Sequence, residues 1–217
     1  MNAASTACTH EENPVTDMQD IALVGRVLRA STTGFDCGTR SSSLNGAHAF
    51  GTFVRAPISE DGVQQVVGLI YAVRIDDDPL ARELVMANAI HSHTLYDQRE
   101  NRMAPVEIGV LAVGYWDGQR IRHALPPRPP MSMTEVAACT PDWIAAFTER
   151  MDFFRLVLNT REAPADSLLA ASIQAAAAVR PEQERFDYLV DCGRMCASLL
   201  SGDLQRLAGI LAQIDPA

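Results

Sequence analysis

Four prolines fall within five residues, at Pro126, Pro127, Pro129 and Pro130, and the hydrophobic period differs on their two sides. Proline lacks an N–H and has a fixed φ, so the run can neither extend a β ladder nor enter a helix. Upstream, apolar residues come in short runs rich in Val, Ile and Leu; downstream they recur at steps of three and four. The expected organisation is a polar, disordered leader over 1–19, a β domain over 20–125, a stiff proline spacer over 126–133 and a helical module over 134–217.

The β domain is expected to be a small closed antiparallel barrel of five or six strands with one inserted helix, which with the helical module makes the chain α+β. IALVGRVLRAS (21–31), FGTFVRAP (50–57) and VQQVVGLIYAVRI (63–75) have strand composition, with a further short strand near Phe35. Gly68 inside the strongest run marks a bulge or a close backbone approach. Asp78-Pro79 is a helix start, with Leu80, Leu84 and Val85 facing inward and the pattern running weakly to Leu95. VEIGVLAVGYW (106–116) and QRIRHAL (119–125) flank Asp117-Gly118, a hairpin turn signal. Short strands, glycines and a hairpin fit a barrel better than a sandwich.

About four helices are expected downstream. Thr140-Pro141 opens one over 141–159, with Ile144, Phe147, Met151, Phe154 and Leu158 as its stripe. A second spans 165–179, with Leu168, Leu169, Ile173 and Ala176 inward. Pro181 opens a third, with Phe186, Leu189, Val190 and Leu200 inward and Gly202 as its stop. Asp203 caps the last, whose inward residues are Leu204, Leu207, Leu211 and Ile214.

Composition removes several function classes. The chain has no lysine; all 18 basic side chains are arginine. A GxxxxGK[ST] phosphate loop and a Schiff-base lysine are therefore excluded. A net charge of −9 argues against a dedicated nucleic-acid surface. The longest mostly apolar run, Val106–Trp116, is too short to span a bilayer, and the first residues lack the basic and apolar regions of a signal peptide. Five cysteines without framework spacing indicate reduced thiols and a cytoplasmic setting.

Several residue groups have the chemistry of a site. Asp76-Asp77-Asp78 could hold a hard cation, but Asp78 already has a role as helix cap. His91, His93 and Asp97 could ligate a transition metal, though i and i+2 diverge on a helix. Cys192 and Cys196 share a helix face and could join His10 or His123, although buried cysteine usually acts as a small hydrophobe. Ser41–Ser43 lie near His48 without the elbow or acid of a nucleophile triad. Leu125 and Pro126–Pro130 contain a PxxP spacing with Arg128 inside it, and Arg120 and Arg122 precede it; together they form the expected interaction surface.

The stretches GRVLRASTTGF (25–35), VVGLIYAVRIDDDPLAREL (66–84), NRMAPVEIGVLAVGYWDG (101–118) and LPPRPP (125–130) together resemble the HAS barrel family, named for HerA-type DNA translocases and the ATP synthase. The likeness covers residues 20–130, about half of the chain. In that family a small barrel precedes a ring-forming ATPase; here a helical tail takes the ATPase's place. The resemblance therefore implies a stand-alone barrel that assembles and docks, without ATP hydrolysis. The expected function is a non-enzymatic adaptor with no cofactor. Its partner would be a ring ATPase, a nuclease or a second copy of the chain. The alternative is a small-ligand or metal-binding enzyme using the barrel mouth.

Overall fold

In the computed structural model, residues 22–75 and 105–214 are described. Seven strands form one antiparallel sheet: β1 (Leu23–Ala30), β2 (Gly34–Arg40), β3 (Phe53–Pro57), β4 (Gln65–Ile75), β5 (Pro105–Trp116), β6 (Ile121–Arg122) and β7 (Glu135–Ala138). Their order is β2-β1-β7-β3-β4-β5-β6, and β2 also pairs with β5. Six strands thus close into a barrel, and β6 extends beside β5. The barrel reading from sequence holds, while the predicted return strand over 119–125 contracts to two residues. The Asp78-Pro79 helix lies outside the described residues.

The period of two divides the strands into an inner and an outer set. Val24, Val27, Phe35, Cys37, Val54, Ile70, Ile108, Val110 and Val136 belong to one buried cluster that fills the barrel. Phe53, Val67, Leu69, Leu111 and Val113 belong to a second cluster, shared with the helices. The outer face of β3, β4 and β5 is therefore the floor on which the helical module sits. The bulge expected at Gly68 is present: the β4–β5 register shifts between Val67 and Gly68. A Cβ on Gly68 would lie 2.3 Å from Val110 Cγ1, so no larger residue fits without displacement.

β7 overturns the expected boundary. The sequence assigned everything after the prolines to helices, yet Glu135–Ala138 lies between β1 and β3, with Leu23 opposite Ala137 and Val54 opposite Ala138. The proline run is consequently not a straight spacer between two modules. It bends at Pro127-Arg128 and carries the chain from the β5–β6 hairpin to the gap in the barrel. Pro126 and Pro130 are buried against the protein. Beyond them, Met131 N–H donates to Pro57 O (3.0 Å), Met133 N–H donates to Val27 O (2.8 Å) and Val27 N–H donates to Thr134 O (2.9 Å). Met133 adopts φ 64°, a left-handed conformation uncommon for a side chain of this size.

Five helices follow: α1 (Pro141–Phe147), α2 (Phe154–Leu158), α3 (Ala165–Ala178), α4 (Glu182–Leu199) and α5 (Leu204–Ile214). The single helix expected over 141–159 is broken. On a continuous helix Phe147 and Phe153 would point about 120° apart. The break turns both into one cluster with Phe53 of β3, at ring separations of 5.9, 6.0 and 5.4 Å. Thr148 closes α1 by donating its hydroxyl to Ile144 O (2.6 Å). Asp203 caps α5 as expected, accepting from Arg206 N–H at 3.1 Å.

Two predicted stripes are displaced. α4 buries Tyr188, Cys192 and Cys196, while Phe186 stands 63% exposed. α5 buries Ile210 and Ile214, while Leu204 is 72% exposed and Leu211 37%. Of the residues expected inward on these two helices, Leu200 and Ile214 are buried and Leu189 and Leu207 pack against the core, whereas Phe186, Leu204 and Leu211 are left outside it, so both helices carry more apolar surface than the core consumes. Among the described residues, no helix is long and apolar enough to cross a membrane.

Two outcomes follow from this architecture. A chain ending at residue 133 lacks β7 and is expected to lose cooperative unfolding and amide dispersion in NMR; a folded barrel in that fragment would contradict the closure described above. Phe147→Ala removes the ring shared by barrel and helices and is expected to lower stability by about 3–5 kcal/mol, read from the urea midpoint.

Candidate interaction surface

The surface begins at the β5–β6 hairpin. Gly118 has φ 98°, which the turn requires and which glycine adopts without strain. Asp117 organises the turn: its carboxylate accepts from Gln119 N–H and Arg120 N–H, both at 2.9 Å, and from Arg122 Nε at 2.8 Å. The Arg122 hydrogen bond, followed by the two backbone donors, holds the Asp117 carboxyl down at about 2. Arg122 is thus engaged inside the hairpin. Arg120 at its tip and Arg128 at the proline bend are exposed and form no ion pair among the described residues.

His123 anchors the exit from the hairpin. Its Nε2–H donates to Phe147 O (2.9 Å), and its ring meets the Phe147 ring edge-on at 4.7 Å. Nδ1 lies 3.8 Å from Asp152 Oδ2. Burial lowers the imidazole pKa, against the weaker opposing pull of the Phe147 carbonyl and Asp152. Leu125–Pro130 is consequently held at both ends, by His123 before it and by the Met131–Pro57 bond after it. Between those anchors Leu125, Pro127, Arg128 and Pro129 face solvent.

This fixation removes the PxxP reading. At three residues per turn, Pro126 would share a face with Pro129, and Pro127 with Pro130. Each pair has a buried member, and the bend at Pro127-Arg128 interrupts the helix such a ligand needs. What remains is a pre-ordered ridge with Leu125, Arg128 and Met133 along it.

The other sequence candidates separate. Asp76–Asp78, His91, His93, Asp97 and His10 lie outside the described residues. Ser41–Ser43 form a single 3-10 turn. His48 is not aimed at them: its buried ring donates Nε2–H to Val24 O (3.0 Å) and accepts Asn45 N–H at Nδ1 (3.1 Å), pinning the loop to β1. Cys192 and Cys196 face the helical core, where burial pushes their thiols up to about 12 and about 11. Among the described residues there is no group of three or more side chains placed to hold a metal ion.

Two surface features escaped the sequence reading. A cleft of about 570 Å³ runs over the outside of β1, β2 and β5, with Leu23, Arg26, Leu28, Arg40 and Glu107 in its lining. Leu28 lies over Gly38, where a Cβ would come 3.0 Å from Leu28 Cδ1. Leu23 and Leu28 are about half exposed, at 51% and 52%. The second is a groove between α4 and α5. The strand pattern gave no warning of the cleft, because alternation assigns residues to two faces without stating which face another element covers.

Compared with known proteins, the chain matches no family model and no curated protein.

The pH response of this surface has a defined sign. His123 takes up a proton less readily when folded than when unfolded, so stability is full above its ordinary value of about 6.5 and falls as pH drops through the lowered folded value. Asp117 contributes stability that is present above about 4 and is lost on acidification toward about 2. Thermal melts between pH 7.5 and 5 are expected to show the first loss, and His123→Gln, which can still donate to Phe147 O, is expected to flatten it.

Proposed function

We propose that this protein is a non-enzymatic docking module whose barrel binds another protein. The observation that carries the reading is the asymmetry of the barrel wall. The outer face of β3–β5 is buried under the helices, whereas the face of β1 and β2 leaves Leu23 and Leu28 half exposed beside Arg26 and Arg40. Apolar side chains grouped in a cleft with a charged rim are a common form of protein contact.

Other features support the same reading. The barrel interior is packed with apolar side chains, so its space is occupied by the protein itself. The proline ridge is ordered before any partner arrives, which lowers the entropy lost on association. The sequence likeness to HAS barrels favours a ring ATPase or a nuclease associated with one as partner, or a second copy of the chain. The absence of lysine leaves this chain without a phosphate loop of its own. Among the described residues, the four cysteines Cys37, Cys139, Cys192 and Cys196 are free and buried, which supports a cytoplasmic setting.

The test is the native mass of the chain purified from its own host, compared with Leu23→Glu/Leu28→Glu. The wild type is expected in an assembly well above the 23.6 kDa monomer, and the variant is expected as the monomer. A wild-type monomer, or an assembly indifferent to both glutamates, would sink the reading.

A further inference from the structure

We propose that the groove between α4 and α5 receives a basic amphipathic helix from a partner protein. The inference extends the docking reading to a second surface, and it rests on that reading for the idea that the chain is an adaptor. The two fail separately, because the barrel glutamates leave this groove untouched.

In α1–α5 the exposed large apolar side chains are Phe186, Leu204 and Leu211, all on α4 or α5. Phe186 and Leu211 line a groove of about 390 Å³, together with Leu189, Val190, Gly193 and Ile214. Gly193 gives the groove its depth: a Cβ there would come 3.3 Å from Leu211 Cδ2. The helical core takes Tyr188, Cys192 and Cys196 from α4 and Ile210 and Ile214 from α5, with Leu189 packed against it, which leaves Phe186, Val190, Gly193 and Leu211 to the groove. Phe186, Val190 and Gly193 follow one another at steps of four and three, and so form a second apolar line along α4, beside the buried one. A linear apolar trough between two helices is the surface onto which an amphipathic helix lays its apolar face.

Charge selects the kind of helix. The exposed first turns of α4 carry Glu182, Glu184 and Asp187, which form no ion pair among the described residues. The nearby cations are engaged elsewhere. Arg185 donates to Arg180 O (2.9 Å) and Ala178 O (3.1 Å), Arg194 pairs with Asp191 at 2.9 Å, and Arg206 pairs with Asp166 at 2.7 Å. α5 brings no carboxylate or further cation of its own. An apolar trough with an acidic end complements a helix whose apolar face is flanked by Lys or Arg, and it repels an acidic one.

The experiment uses the full chain and a labelled Leu/Lys peptide of about five helical turns, with leucines at i, i+3, i+4 and i+7. A Leu/Glu peptide of equal length is the control. Fluorescence anisotropy is measured at about 0.15 M salt. The Leu/Lys peptide is expected to bind and the Leu/Glu peptide is not. Phe186→Ser/Leu211→Ser, at exposed positions, is expected to weaken binding by about tenfold or more with unchanged circular dichroism. Glu182→Gln/Glu184→Gln/Asp187→Asn is expected to weaken it and to flatten its salt dependence. The proposal is overturned by equal binding to the Phe186→Ser/Leu211→Ser variant, which would mean adhesion by charge alone. It is overturned as well by binding of the Leu/Glu peptide, or by no binding of either. A concentration-dependent dimer that Phe186→Ser/Leu211→Ser disperses would assign the groove to a second copy instead.

Discussion

The fold depends on a pairing made late in the chain. β1 and β3 do not pair with each other; the space between them is filled by β7, a strand of four residues that follows the proline run. Without it the sheet would have two open edges. With it, every backbone ladder of the six barrel strands has a neighbour on both sides, which is the surest protection of a small sheet against pairing with other chains. The prolines serve this closure. They stop β pairing where the hairpin ends, turn the chain at Pro127-Arg128, and deliver Met131 to the Pro57 carbonyl, from which β7 can enter its slot.

Closure also fixes where the helices begin. β7 ends at Ala138 and α1 starts at Pro141, so the helical module leaves the barrel wall directly, beside β3. Phe147 then meets Phe53 without a linker between them. Gly114 of β5 makes room for that ring: a Cβ there would lie 2.8 Å from Phe147 Cε2. His123 binds the carbonyl of the same phenylalanine. One aromatic side chain is thereby touched from the barrel wall, from the hairpin exit and from the break after α1. The barrel and the helices share a single core there, and the sheet itself continues past the prolines into β7.

Much of this was readable from the residues, where the determining contacts are local. The Asp117-Gly118 turn, the Gly68 bulge, the Thr140-Pro141 start and the Asp203 cap depend on a few neighbours and were placed correctly. β7 was not, because four residues are too few to show a period and its partner β1 lies more than 100 residues earlier; Arg26 and Glu135, which bridge the two strands, are 109 apart. The break after Phe147 depends on Phe53, which helix periodicity does not contain. Periodicity points Phe186, Leu204 and Leu211 inward, because an apolar stripe looks the same whether or not a core covers it. For the expected interaction surface, the sequence shows only that arginines and prolines lie together along the chain. That Arg122 would turn back onto Asp117, and that Pro126 and Pro130 would be buried, depends on the turn geometry and on the barrel wall.

The position of β7 also sets the order of events during synthesis. β1 through β5 leave the ribosome with the β1 and β3 edges unpaired, and those edges stay open until residue 138 has emerged. Contacts of such long sequence separation form slowly, and open edges are the part of a nascent barrel most exposed to wrong partners. The residues that seal the barrel and the first helices that cover β3–β5 then emerge almost together. Completion of the barrel and burial of its outer wall are thereby coupled, and the β1 and β3 edges find their partner only once Glu135–Ala138 has been made.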